Sequence, residues 1–175
     1  MGTGVAARAA SSDTGKTAAS GAGAKRLADF IGYRHLPHTV EVERGRLRFF
    51  AKAIGETGPE FVDVEAARAM GYPDLVAPPT YAFSLELDQP RPFAFLEALG
   101  VRLERVLHGS QQFRWHLPIC AGDQITLESQ VEDVYEKKGG ALQFIVIRTA
   151  ATNQRGELAV EMTKTVVVRA SGGKR

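Results

Sequence analysis

The chain reads as an α+β domain in which an antiparallel sheet wraps around a central helix, and three observations lead there. Up to about Gly100 the apolar residues recur at helical spacing, whereas from Val106 onward they alternate with period two. Residues 80–87 are apolar almost all round, so a helix there has no face left for water. The breaks at 118–123, 136–140 and 153–156 are short and rich in turn-forming residues, as connections between antiparallel neighbours are.

Taken in order, residues 25–31 hold one or two helical turns before Gly32, and 39–42 alternate like a first strand. His35 and His38 beside it have a spacing that suggests metal ligation. No third ligand of suitable type stands near, so they are read as solvated histidines. In 46–61 the apolar residues Leu47, Phe50, Ala51 and Ile54 fall at i, i+3, i+4 and i+7, one face of a helix. Gly55 stands where a helical stop belongs, and a polar loop, 55–59, follows. A second short helix, 64–70, takes Asp63 as N-cap and closes at Gly71. Prolines at 73, 78 and 79 make 72–79 irregular. Pro78-Pro79 then suits the front of the central helix, 80–87, because the first N–H groups of a helix have no partner anyway. Pro90 and Pro92 end it, and 93–99 resumes helical character.

In the second half Gln111, Phe113, Trp115 and Leu117 face one way and Gln112, Arg114 and His116 the other. Ile125, Leu127, Ser129 and Val131 alternate in a long strand reaching Tyr135. Residues 142–152 are apolar on both faces around Phe144, Ile145, Val146 and Ile147, the pattern of a central strand covered twice. A last long strand spans 157–169. The expected layout is one strand, several helices, then an antiparallel meander of about four strands.

Composition bounds the rest. Of 175 residues, 44% are hydrophobic and 24% charged, which is ordinary for one globular domain. That domain is expected over 25–170. Gly, Ala, Ser and Thr dominate 1–24, and 171–175 is polar, so both ends are expected to be disordered tails. A net charge of +2 without a clustered basic face excludes a nucleic-acid reading. No stretch approaches the length of a membrane span, and the N-terminal segment lacks the apolar core of a signal peptide, so the expectation is a cytoplasmic protein. The single cysteine, Cys120, has no internal partner and reads as a buried or turn-adjacent thiol rather than a nucleophile.

Three stretches then carry a resemblance. They are residues 50–59 (FAKAIGETGP), 76–81 (VAPPTY), and 107–113 (LHGSQQF) followed by Pro118 and Ala121-Gly122-Asp123. Together they resemble the MaoC-like hot-dog proteins, in particular the family's N-terminal, FAS1-like dehydratase type of unit. The similarity runs from roughly residue 33 to 169. It implies the hot-dog fold and the chemistry of (R)-specific enoyl-CoA hydratases and 3-hydroxyacyl-thioester dehydratases. It also implies an acyl-CoA or acyl-carrier-protein thioester as substrate, no metal or organic cofactor, and a homodimer or a heterodimer with a catalytic hot-dog subunit. An unpaired sheet edge would want such a partner on physical grounds too.

Hydration of an enoyl thioester needs an acid–base pair and a donor for the carbonyl oxygen. Catalytic members of the family carry a loop of the form Gly-Asp-x-Asn-Pro-x-His. Here the aspartate position is Glu56, the asparagine position Gly58 and the histidine position Phe61. The extra methylene of Glu56 moves its carboxylate, and misplacement of about an ångström can cost ~10²-fold. Phe61 transfers no proton. Where the family's central helix begins with a histidine-glycine pair, this chain has Pro78-Pro79, which has no N–H to offer an oxyanion. Loss of one such donor typically raises the barrier by about 2.7–4 kcal/mol.

The residues expected to act are therefore Glu56 and His108 as catalytic candidates, with Gly55, Thr57, Thr80, Tyr81 and Gln111 as substrate-binding ones. Arg102, Arg105, Arg114, Lys137 and Lys138 are available to the phosphates of a carrier, or form a solvated face. The reading that follows is the substrate-binding half of a dehydratase with a degenerate loop. The alternatives are a self-sufficient homodimer that uses Glu56 or His108, and a hot-dog acyl-CoA thioesterase.

Overall fold

The first helix stops at Gly55 because only a residue without Cβ enters the left-handed region there at no cost, and Gly55 does so with φ 73°. This helix, α1 (Arg44–Ile54), buries Leu47 and Ala51. The computed structural model to which it belongs describes residues 26–170, so the two expected tails lie outside the described residues. Ahead of α1 come a 3₁₀ turn, Leu27–Phe30, and a short strand, β1 (His38–Glu41). The loop after Gly55 is shorter than expected: α2 (Pro59–Val62) occupies its end, with Pro59 in the first turn, where a missing N–H is harmless. Asp63 caps α3 (Val64–Ala69) by accepting from the Glu65 and Ala66 amides at 2.8 and 3.0 Å.

The central helix, α4 (Tyr81–Leu85), is one turn and a half rather than the full 80–87. Tyr81, Ala82 and Leu85 are buried, but the backbone passes into turns after Leu85, and Leu87 is exposed. A second short helix, α5 (Ala94–Ala98), and a 3₁₀ turn, Leu103–Arg105, lead into the four long strands. These are β2 (Val106–Trp115), β3 (Gln124–Lys137), β4 (Leu142–Thr152) and β5 (Leu158–Arg169).

The sheet order is β1-β3-β4-β5-β2, antiparallel throughout. This corrects the expected four-strand meander. Only β3, β4 and β5 are hairpin-connected; β2 lies beside β5, at the far edge from β1. The turn between β3 and β4 is built on positive φ at Lys138, Gly139 and Gly140. A second correction concerns β4, which is central but not covered twice. Ile145, Ile147, Thr149 and Ala151 are buried on its inner face, whereas Phe144, Val146 and Ala150 on the outer face are half-buried. On that outer face Tyr135 and Phe144 stack at 4.8 Å, with Lys137 over both rings.

Helices and inner sheet face enclose an apolar core in two parts. One gathers Leu47, Leu75, Tyr81, Leu85, Ile125 and Met162; the other Leu27, Phe95, Leu99, Val131, Ile145 and Val166. Between them each long strand contributes one polar residue to the inner face: Gln111 on β2, Ser129 on β3, Thr149 on β4 and Lys164 on β5.

One buried carboxylate ties α1 to the irregular stretch before the central helix. Asp74 accepts from Arg44 at 2.9 and 2.5 Å and from the Leu75 amide at 2.8 Å. The Arg44 hydrogen bond above all, helped by the Leu75 amide and the charge of Arg44, holds the Asp74 carboxyl below the usual range. A carboxyl lowered in the folded state stabilises above its unfolded pKa of about 4, and that contribution fades as pH falls through the lower folded value. Asp74→Asn is therefore expected to be less stable than the parent at neutral pH, with the gap narrowing below about pH 4. Urea unfolding at the two pH values reads this directly.

Candidate functional site

Two hollows flank the central helix. The first lies at its front, a cleft of about 350 Å³ lined by Phe61, Val76, Ala77, Pro79, Trp115, His116, Leu117 and Pro118. The chain is held there by Val76 N–H donating to the Glu60 carbonyl at 3.0 Å and Ala77 N–H to the Ile119 carbonyl at 2.8 Å. The lining is almost wholly apolar. Its one titratable group, His116, has Nε2 3.2 Å from Glu161 Oε2. Glu161 is also hydrogen-bonded by Arg148; that contact first, and His116 second, holds its carboxyl below the usual range.

Gly58 and Phe61 are fitted to one another. A Cβ at position 58 would meet the Phe61 ring at 2.8 and 2.9 Å, so a larger residue there requires the ring to move. Glu56 Oε1 accepts from the Thr57 and Gly58 amides, both at 2.9 Å, which turns the carboxylate back on its own loop. Glu56→Ala is expected to lower stability by about 1 kcal/mol through loss of that acceptor, and Glu56→Gln, which keeps an acceptor oxygen, to stay near the parent in denaturant unfolding.

At the start of α4 the Tyr81 amide donates to the Pro78 carbonyl at 2.8 Å. Its ring is buried against Phe50, centroids 5.2 Å apart, and burial raises the phenol's pKa. Thr80 is exposed. Pro78 and Pro79 have no N–H groups to offer there.

The second hollow is a cavity of about 270 Å³ between the inner sheet face and α4 and α5. Three of the four histidines, His35, His38 and His108, line it. His108 sits at the rim, its ring 5.1 Å from that of Phe83. It faces inward because β2 carries a bulge between His108 and Ser110, which resets the alternation at Gly109. Gln111 lies further along the same face opposite Lys164, its Oε1 buried and without a partner.

Of the expected site residues, Gly55, Glu56 and Thr57 share one loop, Thr80 and Tyr81 the start of α4, and His108 and Gln111 the inner face of β2. Among the described residues no hydrogen bond joins Glu56 to His108. The reading of His35 as solvated is corrected: the ring is half-buried against Phe95 at 5.0 Å, and Nε2 is buried without a partner. Burial first, then the charge of Lys164, lowers its pKa. Cys120 is buried, and burial, then Asp123, pushes its thiol up to about 11. Of the basic residues, Arg102 and Arg105 border one groove with Arg26 and Arg169, while Arg114 lies toward Glu161. Among the described residues no cluster of His, Cys, Asp or Glu is placed to hold a metal ion, and no helix is long and apolar enough to cross a membrane.

Residues not foreseen are Glu86 and Lys164. They form an ion pair at 2.5 Å with side chains 5% and 14% exposed, and both line the cavity. The readable signals were a lysine in an otherwise apolar inward series, Met162-x-Lys164-x-Val166, and a lone carboxylate in the apolar run of the central helix.

Comparison with known proteins agrees with the fold. Residues 29–162 match the model of the FAS1-like, dehydratase domain region. The chain belongs to this family. A UPF0336 protein of Streptomyces griseus is 38% identical over 143 residues, covering 81% of this chain and 94% of the relative. Among solved structures, a chain of the C-terminally truncated HadBC complex of Mycobacterium tuberculosis, a 3R-hydroxyacyl-ACP dehydratase, superposes with TM-score 0.71 at 30% identity, over 81% of this chain and 99% of that one. A MaoC-like dehydratase superposes with TM-score 0.74 at 24% identity and shares the hot-dog fold; the match covers 83% of this FAS1-like chain and only 44% of that longer one.

Proposed function

We propose that this chain is the substrate-binding half of a two-subunit (R)-specific 3-hydroxyacyl-thioester dehydratase, which in the reverse direction is an enoyl-CoA hydratase. The observation that carries the reading is the front cleft. Where catalytic hot-dog units present an acid–base pair, Phe61, Pro79, Trp115 and Leu117 line an apolar hollow, and Glu56 is occupied by its own loop. The cavity behind α4 supplies what a binding half needs, a largely apolar chamber for an acyl chain. The exposed long edge of β2 is available to a second hot-dog unit. The likeness to a chain of the HadBC complex supports a paired assembly.

The test is hydration of crotonyl-CoA by the purified chain, alone and mixed with a catalytic hot-dog subunit. Silence alone and activity in the mixture are expected. An ordinary enzymatic rate from the chain alone would overturn the reading. The rival is a homodimer working through His108, favoured by that ring's position at the cavity rim. It requires activity of the chain alone that disappears in His108→Ala with the fold intact.

A further inference from the structure

The cavity has a wall that an acyl chamber does not need. Along the inner sheet face the four polar residues, one per long strand, make a seam that runs past it, and Glu86 reaches down from the helix side to complete it. Glu86 Oε1 accepts from Thr149 Oγ1 at 2.6 Å, Glu86 Oε2 meets Lys164 Nζ at 2.5 Å, and the Ser129 and Thr149 hydroxyls are 2.9 Å apart. Lys164 Nζ also lies 5.4 Å from the centre of the Phe95 ring. His35, Glu86, Ser129 and Lys164 all border the cavity.

These groups are not used up by one another. An ammonium has three N–H donors, and Lys164 gives one to Glu86; each Glu86 oxygen accepts one bond and has a further lone pair. Burial first, then the charge of Lys164, disfavours the charged His35 ring; the neutral ring has one donor and one acceptor, and Nε2 has no partner. A saturated alkyl chain laid against this wall leaves every one of those sites unmatched, which disfavours it. A carboxylate is disfavoured as well, because Glu86 cancels the charge of Lys164. A hydroxyl or a ketone matches the wall without bringing charge. At the mouth, Leu36, Leu87, Phe93 and Leu107 are exposed apolar side chains, an entrance suited to the hydrocarbon part of the same molecule.

We propose that the cavity takes a thioester whose acyl chain carries a neutral oxygen function, a hydroxyl or a ketone, away from the reacting end, and that Lys164, Glu86 and His35 read that oxygen. This rests on the reading of the chain as an acyl-binding unit and narrows its substrate class.

The experiment titrates the full-length chain with decanoyl-CoA and with a set of hydroxydecanoyl-CoA isomers bearing the hydroxyl at successive mid-chain carbons. At least one isomer is expected to bind about tenfold more tightly than decanoyl-CoA, the value of one added hydrogen bond. That preference is expected to vanish in the Glu86→Leu/Lys164→Met double variant, which keeps side-chain bulk while removing both charges together, and to shrink in His35→Phe, which keeps the aromatic contact with Phe95. Equal binding of every isomer and decanoyl-CoA would overturn the proposal and leave the acyl-binding reading standing, as would a preference that survives in both variants. Failure of all the thioesters to bind would overturn both.

Discussion

Replacing Lys164 alone with methionine is expected to lower the stability of the fold by about 3–5 kcal/mol. The lysine side chain is 14% exposed and its partner Glu86 only 5%, so the substitution leaves a carboxylate buried with a single hydroxyl donor, Thr149 Oγ1, to stabilise its charge. Removing both charges is a different matter. The Glu86→Leu/Lys164→Met double variant has no charge left to strand, and well-packed apolar replacements of a buried pair are commonly neutral or stabilising. Denaturant unfolding of the two variants thus separates an ion pair that is costly to break from one that is costly to lose. Equal destabilisation of single and double variants would show that the site depends on polarity itself, and equal stability of all three forms would show that Glu86 finds water when Lys164 is gone.

The second large effect is expected at Gly109. A Cβ there would stand 2.8 Å from Val167 Cγ2 and 3.0 Å from the Thr165 carbonyl oxygen. The second neighbour is backbone of the paired strand and cannot rotate away. Gly109→Ala is expected to destabilise by about 1–3 kcal/mol, the usual range for overpacking. The bulge is also what puts His108 on the same face as Gln111, Phe113 and Trp115, since an unbroken strand would send residues of even and odd number to opposite faces. Loss of the bulge would turn either His108 or the other three outward. Chemical shifts of β2, with calorimetric unfolding, distinguish a local rearrangement from simple loss of stability.

What could be read from the residues was what local physics determines. Gly55 ends α1, Asp63 caps α3, and alternation in β2 and β3 assigned their inner faces, because each depends on a few neighbouring side chains. Strand order was not legible. Alternation says which way a residue points and nothing about which strand lies alongside, so the placement of β2 beside β5 was missed. The length of α4 was overestimated because an apolar run suggests burial but does not fix the backbone, which passes into turns after Leu85 and leaves Leu87 exposed. The departures of the loop from the catalytic pattern were visible residue by residue, but the mutual fit of Gly58 and Phe61 needed coordinates. Glu86, Thr149 and Lys164 lie far apart in the chain, and no spacing rule joins them.

The polar seam has a consequence for how the molecule breathes. It separates an apolar half around Leu47, Leu85 and Met162 from a half around Leu27, Phe95 and Val166, and the second is roofed by α5 and a 3₁₀ turn, each four or five residues long. Such short helices have little stability of their own and depend on that half of the core. Opening of this roof exposes one half-core while the other stays closed, a partial unfolding of lower free energy than the global one. Amide exchange should then divide the protein along the seam, with the roof exchanging ahead of α1 and α4. The same roof lines the cavity through Phe95 and Leu96, so its opening would also uncover the cavity wall.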